Sequence, residues 1–74
     1  MRMTKQSREN ARVAIEARVH AMAGAFTVEL IGASGARAWI ESIEGPNRYP
    51  TIADARRAVR RLNPALKFTV MPEI

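Results

Sequence analysis

Apolar and polar positions follow two different rhythms along this chain, and the changes of rhythm predict its elements. Ala11, Ile15, Val19 and Met22 recur at steps of three and four, with Ala14 beside them. That spacing predicts an amphipathic helix over residues 7–23, with Ser7 as N-cap and Gly24 as its stop. Arg12, Glu16 and His20 fall at four-residue steps on its wet side, where Glu16 can pair with either neighbour. Residues 1–6 are polar, basic and aperiodic, and are expected to fray. From 25 to 31 the rhythm becomes strict alternation. Phe26, Val28 and Leu30 share one side, and Thr27, Glu29 and Ile31 the other, which describes a half-buried strand.

Gly32-Ala33-Ser34-Gly35 reads as a turn, and a second strand over 37–43 closes a hairpin that ends at Gly45-Pro46-Asn47. Arg48-Tyr49 adds one or two extended residues. The next helix has both ends written into the sequence. Thr51 is placed to cap it, Asp54 gives a capping-box spacing, and Asn63-Pro64 ends it. Ile52, Ala55, Val59 and Leu62 form its apolar stripe, while Arg56, Arg57, Arg60 and Arg61 cover most of the rest. Leu66 to Met71 alternates again, with Leu66, Phe68 and Val70 inward, and Pro72 terminates it.

These elements predict an α+β fold, a two-layer α-β-β-α-β domain with a three-stranded antiparallel sheet and two helices on one face. Placing the last strand beside the first gives the antiparallel order 2-1-3; beside the second it would form a parallel pair through a right-handed crossover. The expected core is Ile15, Val19, Met22, Phe26, Val28, Leu30, Ile40, Ile52, Val59, Leu62, Phe68 and Val70. The register of the second strand decides the environment of Trp39. A loop of three or five residues turns Ala38, Ile40 and Ser42 inward and leaves Trp39, Glu41 and Ile43 on the open face; two or four does the reverse.

At 74 residues, 1–74 is a single small domain near the lower limit for one apolar core. It contains no cysteine, so neither a disulfide nor a thiolate metal site supports it. No apolar run reaches the roughly 20 residues that span a bilayer. The first twenty residues carry charge throughout, unlike a secretory leader, so a cytoplasmic protein without membrane contact is expected. The net charge is +5, and it sits in the two ends rather than the middle. Ten of the twelve basic residues are arginine, since only Lys5 and Lys67 are lysines. Such an imbalance favours nucleic acid or an acidic protein surface as partner.

Arg56, Arg57, Arg60 and Arg61 are the principal candidate site, with Arg12 and Arg18, and Arg8 beside them, extending it if the helices lie side by side. Arginines at a helix C-terminus also complement its dipole and solvate it, which is the ordinary explanation. Trp39, Ile31, Ile43 and Met71 form the candidate protein interface on the open sheet face. A symmetric homodimer would bury that patch against itself, with Glu29 and Glu41 meeting Arg37 or Lys67 of the other copy. His20 is the only histidine. No spacing joins it to a serine and Asp54 as a triad, and one histidine makes no metal site. The glycine turn joins two strands, whereas a nucleotide-binding loop opens a helix. A non-enzymatic protein without metal or cofactor is expected.

The hairpin followed by Tyr49-Pro50-Thr51-Ile52-Ala53-Asp54-Ala55-Arg56 resembles a recurrent module in which an aromatic, a Ser or Thr, an acidic residue and Ala open a helix. It is similar to the arm-binding modules at the front of phage-type integrases and to small phage-encoded proteins, including some anti-CRISPR inhibitors. The resemblance covers about residues 26–62; the leading helix and trailing strand depart from the integrase module. It implies a scaffold that binds. Two functions follow as expectations: a basic module that presents its arginine face to nucleic acid or a nucleic-acid-processing complex, or a phage-type inhibitor acting by protein–protein contact.

Overall fold

In a computed structural model of the chain, residues 3–72 are described. Thr4 caps the first helix, α1 (Lys5–Val13), by accepting the Ser7 N–H at 3.1 Å. The chain passes without a linker into β1 (Ala14–Met22). Strand β2 (Ala25–Gly32) returns alongside it, and β3 (Arg37–Trp39) follows. A two-stranded excursion, β4 (Glu41–Ser42) and β5 (Gly45–Pro46), precedes helix α2 (Ile52–Leu62), and β6 (Lys67–Val70) closes the domain. The α+β class holds, with both helices packed on one sheet face and a shared core of Ala11, Ala17, Val19, Val28, Leu30, Ile40, Ala55 and Val59.

The expected long first helix is the principal correction. Only its first half is helical; residues 14–22 are a central strand, so the sheet has four strands in the order β3-β2-β1-β6. The segment carried both rhythms. Ala17 and Val19 alternate with Glu16, Arg18 and His20 as cleanly as Ile15 and Val19 repeat at four. Pairing decides between them: β1 bonds antiparallel to β2 and parallel to β6, so the sheet is mixed rather than all antiparallel. Gly24 does not stop a helix. Ala23 and Gly24 both take positive φ, 49° and 80°, and form the two-residue turn that joins Met22 to Ala25. Two positive φ values match the twist of a tight hairpin. Arg48 clamps this turn by donating to the carbonyls of Met22 and Ala23 at 3.5 and 2.9 Å.

The change of conformation moves side chains. Ile15 occupies the irregularity between Ala14 and Glu16 and is 56% exposed, and Met22 at the turn is 44% exposed, so neither belongs to the core. Val70 lies on the β6 edge, also partly exposed. Val19, Val28, Leu30, Ile40 and Val59 are buried as expected, and Phe26, Ile52, Leu62 and Phe68 pack half-buried against them. Both phenylalanines therefore lie on the helix side of the sheet.

The β2–β3 loop gives the register with Ala38 opposite Leu30 on the inner face and Trp39 opposite Glu29 on the open face. The expected strand 37–43 breaks at Ile40, because the chain leaves the sheet line there. Asn47 N–H bonds the Ile40 carbonyl at 2.9 Å and closes the base of the β4–β5 excursion. Tyr49 then resumes the line by exchanging two 2.8 Å backbone bonds with Phe26.

Residues 4–6 are ordered rather than frayed, while residues 1–2 lie outside the described residues. The reason is Ser7, which is buried. Its hydroxyl accepts the Glu41 N–H at 2.9 Å and shares its proton between the Trp39 and Glu41 carbonyls, both at 3.3 Å. Thr4 N–H adds a bond to the Glu41 carbonyl at 2.9 Å. The start of α1 thus covers the open edge of β3 and β4, where unpaired backbone groups would otherwise recruit another strand.

Ser7→Ala should cost about 1–3 kcal/mol in urea unfolding, because it leaves buried backbone groups without partners. Ala23→Asn should act in the opposite sense, stabilising by roughly 1 kcal/mol, since Asn tolerates the left-handed region and Ala does not. An unchanged midpoint for Ala23→Asn would contradict the turn geometry.

Candidate nucleic-acid interface

The four arginines of α2 do not act as one block. Ala55 and Val59 face the core, and successive residues rotate by about 100° around the helix. Arg56 lies toward β6, its guanidinium 5.0 Å above the Phe68 ring, with Arg60 one turn further along the same side. Arg57 points outward and pairs with Asp54 at 3.3 Å. Arg61 turns the other way, toward α1. The helix is held as its sequence foretold, Thr51 Oγ1 accepting the Asp54 N–H at 3.1 Å and donating to Asp54 Oδ2 at 2.8 Å.

Lys5, Arg8 and Arg12 follow at steps of three and four along α1, so one stripe of that helix carries three cations beside its buried Ser7 and Ala11. The two helices are fastened at one end, where the Asn63 amide donates to the Ala11 carbonyl at 3.0 Å. Between them runs a groove of about 420 Å³ lined by Lys5, Arg8, Arg12 and Arg61, with Glu9 its single carboxylate among the described residues. Arg12 and Glu9 approach only to 4.0 Å and are well exposed, so the pair contributes little. Lys5, Arg8, Arg60 and Arg61 have no ion pair among the described residues. A groove holding several uncompensated cations attracts an extended anion.

Arg61 and Leu62 also wall a second cavity of about 390 Å³, bounded further by Asn47, Arg48 and Tyr49. Asn47 is only 3% exposed. The oxygen of its carboxamide is buried and has no hydrogen-bond partner among the described residues. Such a buried, unpaired polar group costs about 1–3 kcal/mol. Sequence reading assigned Asn47 to the end of the hairpin; nothing in the spacing revealed that it would face α2.

Arg18, expected with the helix arginines, lies on the opposite side of the protein. Strand alternation in β1 directs it to the open sheet face, where it meets Glu16 through Nε at 3.3 Å. Thr69 donates to the same carboxylate at 2.8 Å. The hydrogen bond from Arg18, then that from Thr69, holds the Glu16 carboxyl below its ordinary 4.5. Lys67 stands beside Glu16 in register. Further across, Glu29 takes His20 Nε2 at 3.0 Å and Arg37 at 4.0 Å, and the His20 ring meets Trp39 edge-on at 5.4 Å. This face is compensated pair by pair.

The apolar cluster expected here is not assembled. Ile31 is buried between Glu16 and Arg37 in register, and Trp39 is half-buried against His20. Ile43 stands at the tip of the β4–β5 turn, off the sheet and 96% exposed. Met71 lies at the far edge, where its N–H bonds the Val19 carbonyl at 2.8 Å. No group of three His, Cys, Asp or Glu among the described residues is placed to hold a metal ion. No helix among them is long and apolar enough to cross a membrane. No protein-family model, curated protein or solved structure matches the chain.

The Glu16 cluster predicts a pH dependence with a definite sign. A folded-state value below the unfolded one means the contribution is complete above about 4.5 and is lost as pH falls through the depressed folded value. Glu16→Gln should therefore lower the melting temperature at neutral pH and flatten the acid limb. Parallel melting curves of the two proteins across that window would exclude this role.

Proposed function

We propose that this chain is a non-catalytic nucleic-acid-binding module that takes a phosphate backbone in the groove between α1 and α2. The observation that carries the reading is the convergence of Lys5, Arg8, Arg12 and Arg61 on one groove where Glu9 is the single carboxylate among the described residues. Arginine forks suit phosphate oxygens, and a groove between two helices holds cations at several points along an extended chain. The distribution of charge over the rest of the surface supports the same choice. Arg18 and Arg37 on the sheet face already have Glu16 and Glu29, so phosphate gains little there. Arg60, beyond the groove, adds positive field without closing the site.

Affinity for duplex DNA or RNA should fall steeply with salt. Four phosphate contacts predict a slope of about −3 to −4 in log affinity against log salt. Arg8→Glu combined with Arg61→Glu should remove most binding in a mobility-shift titration, while Arg37→Glu on the sheet face leaves it nearly unchanged. Equal losses from both variants would point to net charge alone, and no shift of DNA or RNA at low ionic strength would sink the reading.

A further inference from the structure

The second cavity beside the groove has the makings of a recognition site. It shares Arg61 and Leu62 with the cationic groove, so a strand lying along Lys5, Arg8 and Arg12 passes its mouth. Its volume, about 390 Å³, accommodates a planar heterocycle with room for water. Tyr49 supplies an aromatic ring, fixed at its backbone by the two bonds to Phe26. Asn47 supplies a carboxamide, one acceptor and an amino donor side by side, on a residue only 3% exposed whose buried oxygen has no hydrogen-bond partner among the described residues. Arg48 flanks it, its guanidinium engaged with the Met22 and Ala23 carbonyls.

Buried carboxamides are almost always hydrogen-bonded, to protein, ordered water or a ligand, and the cavity beside Asn47 is where such a partner would enter. A partner for this one must present a donor and an acceptor on one edge, must be flat enough for a tyrosine ring, and must be tethered to an anion that the adjacent groove holds. We infer that the cavity receives an unstacked base of a single-stranded nucleic acid. The base is adenine, whose N6 amino group and N7 match the Asn47 oxygen and amino group as a bidentate pair. Single strands are read in this way, by splaying bases onto aromatic side chains and hydrogen-bonding their edges. The inference rests on the phosphate-groove reading and adds to it the strandedness and the base. It gives Asn47 the task of selection and the cations that of affinity.

The test compares a short oligodeoxyadenylate, the matching oligodeoxythymidylate and an abasic strand of the same length, by fluorescence anisotropy against the wild type and Asn47→Leu. The wild type should bind oligodeoxyadenylate about tenfold or more tightly than the abasic strand, the scale of one stacked base. Asn47→Leu should bring the adenylate down to the thymidylate level and leave the abasic affinity unchanged. Since the unpaired carboxamide oxygen stabilises nothing in the free protein, the variant should melt at or above the wild type; a large drop assigns Asn47 to the fold and overturns the proposal. A strand of 7-deazaadenine, which lacks the N7 acceptor, checks the pairing without altering the protein and should lose the advantage. Equal affinity for adenylate and thymidylate, or full retention by the 7-deaza strand, overturns it as well. Loss of base preference with salt-dependent binding intact leaves the groove standing, whereas failure of every strand to bind at low salt removes the groove reading itself.

Discussion

Strand β1 is the constraint on which the rest of the molecule depends. It lies inside the sheet and bonds to a neighbour on each side, antiparallel to β2 and parallel to β6. Backbone groups in a core must be paired, and in the middle of a sheet an extended chain is the conformation that satisfies both sides at once. Its alternation then fixes the two surfaces. Ala17 and Val19 go under the helices, aligned with Leu30 and Val28 on one side and Phe68 and Val70 on the other. Glu16, Arg18 and His20 go to the open face. The helices can approach closely because Ala17, Ala11 and Ala55 are small where the layers meet and are fully buried.

The same alternation separates the charges. On the open face Arg18 meets Glu16 and Arg37 meets Glu29, while Thr69 and His20 hydrogen-bond the same two carboxylates. On the helix side Glu9 and Asp54 are the only acids near the cations of α1 and α2 among the described residues, and each sits within a turn of one arginine. The surplus of positive charge is therefore concentrated between the helices. A small domain that compensates one face and leaves the other uncompensated gains little stability from the arrangement. Its consequence is directional attraction for an anion.

So small a chain also has few ways to close its edges. It has no disulfide, and it relies on short polar contacts at the places where elements start and stop. Ser7 and Thr4 cover the β3–β4 edge, Arg48 holds the β1–β2 turn, and Asn63 fastens α2 to α1. Asn47 stands apart from this pattern: its backbone N–H bonds the Ile40 carbonyl, but its buried side-chain oxygen closes no contact among the described residues. Departures from polar satisfaction are where function is most often found, because a fold does not retain their cost otherwise.

The sequence by itself determined the elements whose signals are local. Helix α2, its Thr51–Asp54 cap and its end at Asn63 need no partner to be specified, because their hydrogen bonds lie within a few residues. Strand β2 and the inward set Val28 and Leu30 follow from alternation, and so does the α+β class. Tertiary structure decided what local signals left undetermined. Residues 14–22 fit a helix and a strand alike, and pairing with the adjacent β2 and with β6, distant in sequence, chose the strand. That choice carried Arg18 to the far face, released Ile15 and Met22 from the core and set β6 parallel. The arginines of α2 and the basic stripe of α1 were legible as charges, but their meeting in one groove required the packing of two helices. Asn47 carried no signal, since its burial arises only where the β4–β5 excursion rejoins the sheet beneath α2. Chain-local chemistry is written in neighbouring residues; the site depends on residues that only the folded backbone makes neighbours.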